Sequence, residues 1–148
     1  MAVSRMIGTR SNKMDSKGRV AVPAKWRDQL GEDIVLTPGS ENCIYVYSTE
    51  SFDAMCAAIE NAPAMSNPEV RQTMRKLLGE SDEMTLDKQG RILINTDLRK
   101  YADLKDDDDI LFKGVGDHLE IWDRETWEKY DAGFSIAEGS KSFASLGL

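Results

Sequence analysis

Asp15 and Arg19 stand four residues apart in the run DSKGR, and Asp87 and Arg91 repeat that spacing in DKQGR. A carboxylate and a guanidinium so placed are not a proton-transfer pair, because arginine stays protonated. They suit a tight turn. Glycine (Gly18, Gly90) supplies a positive φ, and aspartate at the head of the turn accepts hydrogen bonds from the backbone two residues on. The arginine can pair with that aspartate, which would fix the guanidinium before any ligand arrives, or reach outward to an anion. At a hairpin tip it can neutralise phosphates, and in a bidentate pose it can read guanine in the major groove.

Little else in the chain points to chemistry. There is no GxxxxGK phosphate loop, no GxGxxG, no GxSxG elbow, and no Cys–His or paired-carboxylate arrangement, so an enzyme is not expected. Cys43 and Cys56 form no CxxC pair; reduced, buried thiols are expected, without a disulfide or a zinc site. His118 is the single histidine and has no second ligand nearby in sequence, and Asp106 to Asp109 lacks the pattern of a calcium loop. Neither a metal nor another cofactor is expected.

The net charge of −7 at first argues against a polyanion partner. The charge is unevenly spread, however. Residues 1–30 hold seven basic groups (Arg5, Arg10, Lys13, Lys17, Arg19, Lys25, Arg27) against Asp15 and Asp28, a net +5, which leaves −12 for the rest. Such asymmetry marks either a surface for a polyanion or a solvated basic tail. No apolar run approaches the roughly 18 residues of a membrane span, and the first residues lack a signal peptide's apolar stretch, so a cytoplasmic, membrane-free protein is expected.

The elements that must carry these residues come in two copies. DSKGRVAVPAKWR at 15–27 aligns without gaps to DKQGRILINTDLR at 87–99. Further on, Ile34-Val35-Leu36 answers to Ile110-Leu111-Phe112, and Ile44 to Tyr47 answers to Leu119 to Trp122. Each copy reads turn, short buried strand, short helix, strand, strand. Pro23 opens the first short helix and Gly31 ends it; Asn95 or Thr96 caps its counterpart. Two helices link the copies, one capped by Ser48 or Thr49 with Phe52, Met55, Cys56 and Ile59 on one face, the other opening at Ser66-Asn67-Pro68-Glu69. Glu125 to Tyr130 repeats the first of these helices, with Trp127 in the place of Phe52. The tail from Ala132 is expected to be loosely ordered or to pack on a neighbouring subunit. Neither copy alone holds enough apolar residues for a core, so the two should fold against each other about a pseudo-twofold axis.

Gly8, DSKGR, VPAKWR, the helical linker, DKQGR with its apolar triplet and LR, and LEIWDRETW (119–127) together resemble the MraZ family, from about Met6 to about Tyr130. Two positions differ: Asn95 stands where that family usually has proline, and Met6 where it usually has phenylalanine. The resemblance implies an α+β, mostly β fold in which tandem swapped-hairpin units of the SpoVT-AbrB type form one β-barrel with flanking short helices. Unit boundaries at 9–51 and 81–125 follow, with a helical linker at 52–80 and a C-terminal helix and tail at 126–148. It also implies ring-shaped homo-oligomers, nucleoid association, and binding of double-stranded DNA at direct repeats upstream of the division and cell-wall gene cluster, the protein's own promoter included. The Asp and Arg of each turn then serve DNA contact or the shape of the turn that makes it.

The candidate DNA-binding residues are Arg10, Lys13, Asp15, Lys17, Arg19 and Arg27 in the first copy and Asp87, Lys88 and Arg91 in the second, Arg27 being either a contact or a structural partner. Residues 81–100 carry no net charge, so the first copy is expected to lead and the second to serve as scaffold and oligomer contact. Rival readings are an enzyme, an antitoxin with a single fold unit and a toxin-binding tail, and a purely structural ring.

Overall fold

The computed structural model describes residues 5–148. The first unit runs β1 (Met6–Lys13), β2 (Arg19–Ala21), α1 (Ala24–Leu30), β3 (Asp33–Pro38), β4 (Ile44–Ser48) and α2 (Thr49–Glu60). A 3₁₀ turn (Pro63–Ser66) and α3 (Pro68–Gly79) lead to the second unit: β5 (Asp82–Thr85), β6 (Arg91–Leu93), α4 (Thr96–Tyr101), β7 (Asp109–Gly116), β8 (His118–Asp123) and α5 (Arg124–Asp131). The tail forms α6 (Ile136–Gly139) and a 3₁₀ segment (Ser140–Leu146), with its apolar side chains exposed.

The two units are interlaced rather than stacked. An antiparallel sheet runs β1-β7-β8-β4-β3-β5, and β2 pairs with β6 in a separate ribbon. The first strand of each unit is therefore donated to the other: β1 lies on β7, and β5 lies on β3. Equivalent residues face each other where the units meet. Val20 is opposite Ile92 in the ribbon, and Tyr45 is opposite Glu120 at the junction of β4 and β8. Such self-pairing occurs only on a pseudo-twofold axis, and the expected symmetry is present.

Capping explains why the helices begin where they do. Ser48 Oγ accepts from the Ser51 N–H at the start of α2, and its counterpart Asp123 accepts from the Thr126 N–H at the start of α5. Asn95 caps α4 by accepting from Leu98 N–H, so proline is not needed there. Asn67 caps α3, whose first residue is Pro68. One core serves both units: Trp26, Leu36, Ile44 and Val46 from the first lie with Ile92, Leu98, Phe112 and Ile121 from the second, all buried. A smaller cluster on the other sheet face joins Cys43, Leu111 and Trp122, with Trp127 of α5 edge-on to Trp122.

Four sequence-based expectations need correction. More residues lie in helices than in strands, so the fold is α+β but not mostly β. The sheet does not close into a barrel: β1 bonds only to β7 and β5 only to β3 among the described strands. Closure fails because β2, three residues long, has its ladder taken by β6; where β1 and β2 approach, Asn12 Nδ2 donates to the Ala21 carbonyl at 2.6 Å. The apolar triplets are not buried throughout, since pleating turns their middle residues outward and leaves Leu93 52% exposed. Cys43 is buried as expected, but Cys56 is only partly covered.

Candidate nucleic-acid interface

The two turns are the same structure built twice. Asp15 Oδ1 accepts from the N–H groups of Lys17 (3.0 Å) and Arg19 (2.9 Å), and its Oδ2 accepts from Arg19 Nε at 2.8 Å. Asp87 accepts from the N–H groups of Gln89 and Arg91 (2.9 Å each) and from Arg91 Nε at 2.7 Å. Each aspartate therefore holds the turn and fixes the guanidinium at once, where the sequence leaves the two roles as alternatives. The backbone bond from Arg19, then its side-chain bond and the Lys17 N–H, hold the Asp15 carboxyl below the ordinary aspartate value; Arg91 and Gln89 do the same for Asp87. Gly18 and Gly90 have φ of +89° and +73°, the region the turn demands and other residues avoid.

The ribbon decides where the arginines point. Residues 19, 21, 91 and 93 share one face, and Val20 and Ile92 share the other, pressed into the core. Arg19 and Arg91 thus stand diagonally on a single outward surface with Ala21 and Leu93 between them. Each spends its Nε on its aspartate, and among the described residues the terminal nitrogens of neither are hydrogen-bonded. Lys17 and Lys88 lie exposed in the turns at the two ends of the ribbon. The Gly18 carbonyl accepts from Ile94 N–H and the Gly90 carbonyl from Val22 N–H, both at 2.9 Å, so each turn is tied to the other unit.

The remaining candidates spread out. Arg10 and Lys13 are both exposed on β1, but three positions apart on a pleated strand they face opposite sides. Arg27 lies across the second turn, its Nε donating to the Val22 carbonyl at 2.7 Å. Sequence reasoning missed three residues. Lys25 lies beside Gly8 and over the Trp26 ring, 5.3 Å from its centroid. Leu93 is the exposed apolar residue between the arginines. Arg99 lies against Gly18. The repeat alignment could have flagged Arg99, because it is the counterpart of Arg27.

Charge along the chain is not charge in space. The second turn borders a cleft lined by Arg27, Asp28 and Glu32 of the first unit, while the first turn is approached by Arg99 and by Asp107 and Asp108, which bond to the Met14 backbone. The difference that survives folding lies in the strands leading into the turns. β1 presents Arg10 and Lys13, where β5 has Asp82 and Thr85.

Fold and surface together define an internally duplicated, pseudo-twofold protein whose conspicuous feature is a cationic ribbon rather than a catalytic pocket. The profile of the family described as "MraZ protein, putative antitoxin-like" matches the chain twice, over residues 6–75 and 77–145. The chain belongs to the MraZ family. Similar proteins include those named Transcriptional regulator MraZ from Clostridium tetani, 36% identical over 143 residues (96% of this chain and 99% of the relative). Another, from a Thermoanaerobacter species, is 42% identical over 125 residues (84% and 85%). A third, from Micrococcus luteus, is 42% identical over 139 residues (93% and 91%). This is a family of regulators and not of enzymes. No helix among the described residues is long and apolar enough to cross a membrane.

Proposed function

We propose that the protein is a sequence-specific DNA-binding transcriptional regulator that binds direct repeats in its own promoter, upstream of the division and cell-wall gene cluster. The observation that carries this reading is the outward ribbon face, where Arg19 and Arg91 are held by their aspartates with their terminal nitrogens unbonded among the described residues. A two-stranded ribbon fits the major groove, and a preset guanidinium reaches guanine or phosphate without first being ordered. Lys17 and Lys88 add phosphate contacts from the turns, the strand entering the first turn offers a cation on each of its faces (Arg10 on one, Lys13 on the other) and so adds one of them to the DNA side, and Asp15, Asp87 and Arg27 hold the geometry.

In this reading the units are SpoVT-AbrB-like swapped hairpins, bounded at 9–51 and 81–125 and joined by the linker at 52–80, with 126–148 as the C-terminal helix and tail. The protein works in the cytoplasm on the nucleoid, without a membrane partner. A single ribbon offers few phosphate contacts, so a ring of copies engaging repeated sites supplies affinity through multivalency. Exposed Ile7 and Val115, paired across β1 and β7, and exposed Phe134 and Ile136 support a contact between copies.

The test is a gel shift on DNA from upstream of the protein's own gene, across a salt series and beside the native mass. Arg19→Ala is expected to weaken binding by about 10- to 100-fold with the oligomer intact, the loss of a contact worth ~1–3 kcal/mol. Arg91→Ala is expected to cost much less, because β5, the strand that enters its turn, lacks the basic pair of β1. Equal losses would refute the asymmetry, and no loss from Arg19→Ala would remove the turn from the DNA face.

A further inference from the structure

We propose that Arg27 and Arg99 are crossed positioning residues: Arg99 of the second unit braces the Asp15–Arg19 turn of the first, and Arg27 of the first braces the Asp87–Arg91 turn of the second. The crossing follows from the antiparallel ribbon. Where β2 begins, β6 ends, so the helix that follows β6 starts beside the turn that precedes β2. The Ile94 N–H bond to the Gly18 carbonyl marks one such junction and the Val22 N–H bond to the Gly90 carbonyl the other. Arg27 and Arg99 occupy equivalent positions on α1 and α4, one helical turn in from these junctions.

The contacts are close. A Cβ placed on Gly90 would lie 2.5 Å from Nε and Cζ of Arg27, and one placed on Gly18 would lie 3.1 Å from Nε and 3.2 Å from Cζ of Arg99. Both glycines have a positive φ and both lie against a guanidinium; at Gly18 the nearest atom to such a Cβ is the Ile94 carbonyl oxygen, at 2.6 Å. The two braces are anchored differently. Arg27 Nε is tied to the Val22 carbonyl. Arg99 is held by its terminal nitrogens, to Thr96 Oγ1 at 3.2 Å and to Asp106 at 3.8 Å, while its buried Nε has no partner among the described residues. Asp106 belongs to the stretch by which the second unit exceeds the first, so the added acid steadies the brace of the first turn, the one entered from the strand that carries Arg10 and Lys13.

The bracing itself needs no DNA; only its consequence for binding rests on the function proposed above. Amide hydrogen exchange on the DNA-free protein reads the first part. Arg99→Ala is expected to raise exchange about 10-fold or more at Lys17, Gly18 and Arg19 and to leave Gln89 to Arg91 unchanged, with Arg27→Ala giving the mirror result. Arg99→Lys keeps the charge and most of the stem without the flat guanidinium, and is expected to loosen the same three amides in a protein that stays folded. Exchange that rises in the turn of the mutated unit, or equally in both turns, overturns the crossing. The second part is read by anisotropy with a duplex from upstream of the protein's own gene. Arg99→Ala should weaken binding about 10-fold and Arg27→Ala less than about 3-fold, and Arg99→Ala added to Arg19→Ala should cost little more than Arg19→Ala alone. A crossed exchange pattern with unchanged affinity in every variant would uphold the braces and overturn the DNA-reading role of the turns.

Discussion

The aspartate of each turn does more than its arginine partner suggests. Asp15 and Asp87 each collect two backbone N–H groups and one guanidinium nitrogen, an arrangement that favours the ionised carboxylate. Their folded pKa values lie below the unfolded one, so their contribution is complete above the unfolded value and is lost as pH falls through the folded one. Between pH 5 and 8 the turns should therefore be insensitive to pH, and the Arg19 and Arg91 amides should lose protection only below about pH 4. Amide chemical shifts followed through an acid titration check this; a carboxyl titrating above the ordinary aspartate range would mean the clasp does not form in solution. The turn was legible in the sequence because Asp, Gly and Arg at fixed offsets constrain one another locally, while the sequence left open whether the aspartate holds the backbone or the arginine. The contact of Arg99 was not legible, because the glycine it packs against lies 81 residues earlier in the chain; only its alignment with Arg27 marks the residue.

Among the elements, the β2–β6 ribbon separates two duties by face. Val20 and Ile92, opposite each other on the axis, anchor it to the core with only 1% of their surface exposed, while Arg19, Ala21, Arg91 and Leu93 look outward. Ile92→Ala is expected to destabilise the protein by ~2–5 kcal/mol, whereas Leu93→Ala next to it should stay within about 0.5 kcal/mol. Urea denaturation of both variants measures the contrast, and similar losses would mean that the ribbon is not faced as described. The strands missed from the sequence, β1 and β5, are both sheet edges. Each has a single partner among the described strands and little buried surface, so neither carries the alternation that betrays a half-buried strand. The capped helices and the β3–β4 hairpin, whose signals are local, were read correctly.

At the scale of the whole molecule, neither unit is complete without the other. β3 borrows β5, β7 borrows β1, and the main core draws side chains from both copies. Fragments 1–62 and 63–148 are therefore expected to be unfolded singly and to regain β structure when mixed, which far-ultraviolet circular dichroism would follow; a fragment that folds alone would contradict the interlacing. The same interlacing explains why a count of charge along the chain misjudges the surface: it sets Asp28 of the basic segment, with Glu32 just beyond it, beside the second turn, and Asp107 and Asp108 of the acidic remainder beside the first. The duplication, the two Asp-Arg turns with their glycines, the caps and the need for a shared core are written in the residues themselves, because all of them depend on neighbours in the chain or on composition. That the sheet stays open, that the first strands are exchanged, that both arginines share one face, and that each turn leans on the other unit's helix emerge only on folding. Those outcomes depend on which backbone groups find partners between the two units, where residues from 46 (Leu36 and Asp82) to 110 (Met6 and Gly116) positions apart become neighbours.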